Sequence, residues 1–115
     1  GDMAGLDALL TDDLVWHQPG KNPFSGTHTG KAAVYKMIGG MMAASQGSFA
    51  ITQTTSFACN ADLVAVTIEF SAQTPVSKMQ MGGVDLLRIE GGLIKEVWLF
   101  SADQACEDQF WSATA

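Results

Sequence analysis

The sequence predicts an α+β fold in which a curved antiparallel sheet packs around helices. Two observations support this prediction. Helical periodicity occurs in the first half and at the end of the 115-residue chain, whereas residues 48–102 read as strands separated by short turns. Helices followed by an antiparallel meander are typical of the α+β class. Long strands that bend around one helix leave a concave face, which is where ligand pockets usually form.

The N-terminal part of the chain is predicted to hold a short helix and a short strand. Asp2 is the predicted N-cap of the helix. The apolar positions of the helix are Met3, Leu6, Leu9 and Leu10. The stretch "LVWHQP" follows as a strand that ends at Pro19-Gly20, and "GKNPFSGTHTG" is a loop rich in residues that break helices and strands.

A second helix is predicted over residues 31–45, with Thr29 as its cap. Its apolar side chains recur at i, i+3, i+4 and i+7, which places them on one helical face. They are Val34, Met37, Ile38 and Met41. Met37 and Met41 are interpreted first as core residues, and alternatively as a soft wall against a flat ligand.

The second half of the chain is predicted to form four strands and a closing helix. The strands cover residues 48–58, 63–73, 77–90 and 93–101, and the turn Gly91-Gly92 is short enough for a hairpin. The helix covers residues 103–111 and begins with Asp103 as N-cap. Apolar residues occupy both faces of the last strand. One face can line a pocket and the other must be covered, so we expect a homodimer through the outer face of the sheet.

Composition excludes several classes of protein. The net charge is −6 at pH 7 with no cluster of Lys or Arg, which argues against nucleic acids and anionic membranes as partners. No apolar run approaches the roughly 18 residues that span a bilayer. The spacing of Cys59 and Cys106 fits neither a metal site nor a redox motif, and we interpret them as reduced thiols of a cytoplasmic protein. No metal or cofactor is expected.

Asp85 is the most informative candidate residue. If side chains alternate along the strand, Asp85 shares a face with Met81, Leu87 and Ile89, while the charged residues fall on the opposite face. Burial disfavours a charged carboxylate, so the pKa of Asp85 should rise and the protonated acid should predominate at neutral pH. A neutral acid in an apolar pocket can donate a hydrogen bond to a developing oxyanion. The alternative is that Asp85 caps a backbone group or meets Lys or Arg at a strand end.

Two further residues could move protons. His17 lies at the end of the first strand, where it could act as base or acid near neutral pH or could be a surface histidine. Asp103 is first a helix cap and alternatively a proton donor.

The order of these motifs resembles the nuclear transport factor 2-like superfamily, in its SnoaL-like polyketide cyclase and ketosteroid isomerase branch. The stretches that carry the resemblance are "GDMAGLDALLTDDLVWHQPG", "FSGTHTGKAAV" and "VDLLRIEGGLIKEVWLFSADQ". The resemblance implies a cone-shaped sheet and one domain over residues 1–115, without the first helix of the family. It also implies that the convex sheet face forms the dimer.

The resemblance bears on each candidate residue. Asp85 in "VDLLRI" matches the protonated aspartate with which steroid isomerases stabilise an oxyanion. The isomerase base falls at Gln18, which cannot accept a proton, so the neighbouring His17 is the only nearby substitute. Strict alternation puts His17 on the face opposite Gln18, so its access to the pocket requires a twist or bulge at the strand end. Asp103 lies close to the acidic residue of the polyketide cyclases.

The sequence therefore predicts a protein that binds a small hydrophobic molecule. One hypothesis is a cofactor-free isomerase or cyclase that acts on a hydrophobic carbonyl compound through Asp85, His17 and Asp103. The alternative is a binding module without turnover, or a dimerisation domain. The predicted ligand contacts are Trp16, Gln18, Met37, Met41, Leu87, Val97 and Leu99.

Overall fold

A computed structural model describes residues 3–114, and its elements follow the predicted order closely. The predicted cap Asp2 and the side chain of Met3 lie outside the described part. The elements are helix α1 (Met3–Ala8), strands β1 (Leu10–Gln18) and β2 (Gly26–Thr29), helix α2 (Lys31–Ala44), strands β3 (Ala50–Asn60), β4 (Leu63–Gln73), β5 (Lys78–Glu90) and β6 (Leu93–Ser101), and helix α3 (Gln104–Thr114).

All six strands form one curved sheet in the order β2-β1-β6-β5-β4-β3, which confirms the predicted α+β class. Four of the five strand pairs are antiparallel, but β1 runs parallel to β6. Parallel strands need a long crossover connection, and residues 19–92 provide it. The sheet is therefore mixed at this one pair rather than antiparallel throughout.

Three local predictions in the first half are wrong. Helix α1 ends at Ala8, because Leu10 begins β1 and pairs with Ile94. The expected loop at residues 20–30 contains β2, which pairs with β1. Thr29 pairs with Val15 as the last residue of β2, so it cannot cap α2. The N-cap is Gly30, whose φ of 88° favours glycine, and no side chain caps this helix.

The second half matches the prediction more closely. Both residues of the Gly91-Gly92 turn have positive φ, as a two-residue hairpin between right-twisted strands requires. Asp103 caps α3, since its Oδ1 accepts a hydrogen bond from the Cys106 backbone N–H at 3.0 Å. The strands from β4 to β6 begin and end within one residue of the predicted bounds.

The core fills the concave, inner face of the sheet. Trp111 of α3 is completely buried at its centre and makes edge-to-face contacts with Phe24, Phe49 and Phe110. The buried residues of α2 pack against the same face. Within residues 3–114 no helix combines the length and the apolar character needed to cross a bilayer.

Candidate functional site

A cavity of about 330 Å³ lies between the inner face of the sheet and the three helices. Pockets for small molecules usually measure roughly 300–1,000 Å³. The lining residues are apolar or aromatic except for Gln18, Asp85, Ser101 and Glu107. Nowhere in the described chain do three His, Cys, Asp or Glu side chains lie close enough to share a metal ion.

All seven residues that we predicted as ligand contacts lie in the cavity wall. Alternation on β1, β5 and β6 and the helical period of α2 bring them to one side. They are Trp16, Gln18, Met37, Met41, Leu87, Val97 and Leu99. Their role in binding stays a prediction, but their common location agrees with it.

Asp85 lies on the inner face of β5, between Val66 of β4 and Leu99 of β6. Its carboxyl group forms no hydrogen bond or ion pair with another residue of the range 3–114, so neither a cap nor a basic partner holds it. Desolvation alone raises the pKa of Asp85 to about 6. The pKa of Asp85 is raised, as predicted, but less than the prediction of a mostly protonated group at neutral pH requires. With that pKa only about a tenth of the carboxyl is protonated at pH 7.

Gln18 is a buried polar residue on the same face of the sheet as Asp85, with Leu99 between them. It is 6% exposed and its Oε1 accepts a hydrogen bond from Trp16 Nε1 at 3.0 Å. An indole N–H only donates, so its partner must be the amide oxygen, and the Gln18 amide nitrogen points elsewhere. That nitrogen has no acceptor in the described part of the chain. His17 pairs with Trp98, so Gln18 falls beside Leu99, and two polar side chains therefore flank Leu99.

His17 lies on the outer face, away from the cavity. Its Nε2 is 2.6 Å from Glu96 Oε2, its Nδ1 is 3.3 Å from Thr27 Oγ1, and its ring stacks on Trp98. Arg88 also donates to Glu96, so His17 belongs to a surface network of charged groups. The end of β1 keeps strict alternation, with no bulge to redirect the ring. The expectation that His17 and Asp85 share a site is therefore wrong.

Asp103 is also outside the cavity wall. Its side chain is exposed and is occupied by capping α3. The carboxyl group that does reach the cavity from this helix is Glu107, one turn further on. The structure thus favours the cap over the proton donor for Asp103.

Glu107 is a site residue that the sequence analysis missed. It is 3% exposed, and its Oε1 accepts hydrogen bonds from Ser101 Oγ at 2.7 Å and Gln104 Nε2 at 3.0 Å. Its Oε2 accepts from Trp111 Nε1 at 3.3 Å. Glu107, Phe110 and Trp111 stand at i, i+3 and i+4, so one helical face carries all three. The spacing of these three residues is visible in the sequence. It could have identified Glu107 as a carboxyl group on an apolar face, as alternation identified Asp85.

A curved sheet that encloses three helices and an apolar cavity defines a cone-shaped α+β domain. The chain belongs to the SnoaL-like domain family, whose model matches residues 1–97. Several solved structures similar to this chain, at 14% to 19% identity, are described as NTF2-like proteins. The predicted SnoaL-like membership is confirmed, and the NTF2-like structures share the predicted cone fold.

Individual relatives support the same fold. A protein of unknown function with a cystatin-like fold from Xanthomonas campestris is 51% identical, with a TM-score of 0.94 over 97% of this chain and 87% of that one. Bal32a, from a soil-derived mobile gene cassette, is 22% identical, with a TM-score of 0.90 over 96% of this chain and 85% of that one. The uncharacterised protein Rv0034 of Mycobacterium tuberculosis is 25% identical over 97% of this chain and 86% of its own length.

Proposed function

We propose that this protein binds a small, mostly apolar carbonyl compound in the cavity, with Asp85 as hydrogen-bond donor to the carbonyl oxygen. The observation that carries this proposal is a carboxyl group without a partner in an apolar wall. The pKa of Asp85 already lies near 6 through desolvation. A ligand that displaces water would desolvate Asp85 further and favour the protonated form, which donates.

Gln18 supplies a second donor in this arrangement. Its amide nitrogen lacks an acceptor and lies across Leu99 from Asp85. A carbonyl oxygen has two lone pairs, so it can accept from both side chains at once. The apolar remainder of the ligand would contact Met37, Met41 and Leu87.

The binding proposal can be tested with 1-tetralone, a bicyclic aromatic ketone. Quenching of tryptophan fluorescence would report binding, because Trp16 lines the cavity. Asp85→Ala should weaken binding about tenfold, since a lost hydrogen bond of this kind is worth roughly 1.4 kcal/mol. Asp85→Asn keeps a donor and should spare affinity. Glu69→Gln, on the outer face, is the control for the charge change. Unchanged affinity in Asp85→Ala would contradict the proposal.

A second candidate function is a cofactor-free isomerase or cyclase at the same site. The observation that favours it is the pKa of Asp85 near 6, because such a group can both take and return a proton near neutral pH. Asp85 would remove a proton from the carbon next to the carbonyl group and return it at another position. Neither Gln18 nor His17 can act as the base, because an amide does not take up a proton and His17 lies outside the cavity, but the Gln18 amide can donate to the carbonyl oxygen.

Turnover can be separated from binding by hydrogen exchange. The wild-type protein would speed the exchange of the C2 protons of 1-tetralone in deuterated water, followed by NMR, and Asp85→Asn would abolish the acceleration. Binding without faster exchange would leave the protein as a ligand-binding module.

We also propose that the outer face of the sheet forms a homodimer. All three helices pack on the inner face, so no helix covers the outer-face side chains Leu86, Trp98 and Phe100, although the His17 ring stacks on Trp98. Phe100 is 56% exposed. A second copy of the chain would cover these side chains, and the surface network around His17 would lie beside them.

A further inference from the structure

Glu107 is a buried carboxyl group that faces the cavity. It lies in the cavity wall, and no Lys, Arg or His of the described range forms an ion pair with it. Burial of a carboxylate without a positive partner is costly unless hydrogen bonds compensate. Neutral donors from three residues provide that compensation here.

The hydrogen bonds of Glu107 leave one acceptor position open. Carboxylate oxygens offer about four lone-pair sites in total. Oε1 uses two of them for Ser101 and Gln104, whereas Oε2 receives only the long bond from Trp111. The bonds to Oε1 fix the orientation of the carboxyl group. An additional donor would therefore have to approach Oε2 from the cavity.

The sheet register gives the distance between this acceptor and Asp85. Asp85 pairs with Leu99, and Ser101 stands two residues further along the same face of β6. Two residues of a strand span roughly 7 Å. Ser101 is therefore the diagonal neighbour of Asp85, at roughly 7–8 Å between Cα atoms, and it holds the Glu107 carboxyl group through a hydrogen bond of 2.7 Å.

Gln18 is an independent sign that this end of the cavity receives a polar ligand. Its side chain is more than nine-tenths buried, and its amide nitrogen has no acceptor in the described residues. Because Gln18 lines the cavity, this nitrogen is accessible from it, and a ligand oxygen could accept its hydrogen bond. The polar end of the cavity thus offers donors near Leu99 and an acceptor beyond Ser101.

We propose that Glu107 accepts a hydrogen bond from a hydroxyl group of the ligand, which makes the ligand a flat hydroxy-ketone. Its hydroxyl and carbonyl oxygens would lie on the order of 7 Å apart, because the ligand spans the diagonal step from Asp85 to Ser101. This inference rests on the proposed function, because it assumes that the carbonyl group meets Asp85 and Gln18. An ether oxygen in place of the hydroxyl group would present lone pairs to Oε2 and would be rejected.

The test compares three ligands on the wild-type protein. They are 6-hydroxy-1-tetralone, 6-methoxy-1-tetralone and unsubstituted 1-tetralone, with dissociation constants from tryptophan fluorescence. The hydroxy compound should bind at least about tenfold more tightly than the methoxy compound, because a donor meets the open acceptor in only one of them. Equal affinities for the three ligands would overturn this inference and leave the proposed function intact. Absence of binding by all three would overturn both.

A substitution adds a readout that a purely structural role would not change. In Glu107→Gln the donors Ser101 and Gln104 hold the amide oxygen, so the amide nitrogen takes the place of Oε2. The nitrogen donates, and the preference for hydroxy over methoxy should fall to about one or reverse. Glu69→Gln is the matched control and should keep the preference. If Glu107→Gln kept the preference for the hydroxy over the methoxy compound, the inference would be overturned. If this variant fails to fold, the three-ligand comparison on the wild-type protein decides alone.

Discussion

Replacement of Asp85 by asparagine should stabilise the protein at alkaline pH. The pKa of Asp85 is about 6 in the folded protein against 3.8 for a free side chain. The folded state thus binds the proton more tightly than the unfolded chain does. Below about pH 3.8 Asp85 is neutral in both states and makes its full contribution to the free energy of unfolding. The free energy of unfolding then falls as the pH rises from there to about 6. A difference of about two pKa units corresponds to roughly 3 kcal/mol. Water in the cavity makes this an upper limit.

Urea denaturation at pH 5 and pH 8 measures the effect. Asp85→Asn should be more stable than the wild type by up to about 3 kcal/mol at pH 8, and by about half as much at pH 5, within the titration range. Glu69→Gln, on the outer face of the sheet, is the control for the loss of one carboxyl group. The reasoning would be refuted if Asp85→Asn lost stability at pH 8. It would also be refuted if NMR titration of the Asp85 carboxyl carbon gave a pKa at or below 3.8.

Gly83→Ala should lower the free energy of unfolding, because its methyl group would lie 2.6 Å from the Phe100 carbonyl oxygen. Gly39→Ala has open space in helix α2 and should raise the free energy of unfolding by up to about 1 kcal/mol. Equal effects in urea denaturation would contradict this reasoning. Phe100→Asp should turn the proposed dimer into a monomer in sedimentation, whereas Phe57→Asp on the opposite face should not. A wild-type protein that is monomeric at micromolar concentration would contradict the proposed dimer.

The long strands were predictable because their signals are local. Alternation along residues 78–90 assigned Asp85 and Leu87 to one face, and the Gly91-Gly92 turn fixed the hairpin with β6. The parallel pairing of β1 with β6 was not predictable in this way, because it joins segments that are about 80 residues apart. Strand β2 was missed because four residues between breaker-rich stretches give no periodic signal.

Alternation along the strands was enough to predict which residues line the cavity. Roles that were assigned from side-chain chemistry alone were not predicted correctly. Alternation placed Trp16 and Gln18 on the cavity side of β1, and the same rule places His17 outside. His17 was assigned a role because imidazole side chains in general titrate near neutral pH, but its location on the outer face overrides that argument. Glu107 was missed because its place on the buried face of the closing helix gives a weaker signal than the cap residue Asp103 at the helix start.

The two carboxyl groups of the cavity differ in their surroundings, and this difference would orient a ligand. Asp85 forms no hydrogen bond with another residue of the range 3–114 and lies among apolar side chains, with the Gln18 amide across Leu99, so this end suits an oxygen that accepts a hydrogen bond. Glu107 is held by Ser101, Gln104 and Trp111, so it suits a group that donates. If both were equivalent, a ligand could bind in either of two directions. Because they are not, the carbonyl end of a hydroxy-ketone suits the Asp85 end, and the reversed orientation would place the carbonyl oxygen against the lone pairs of Glu107 Oε2.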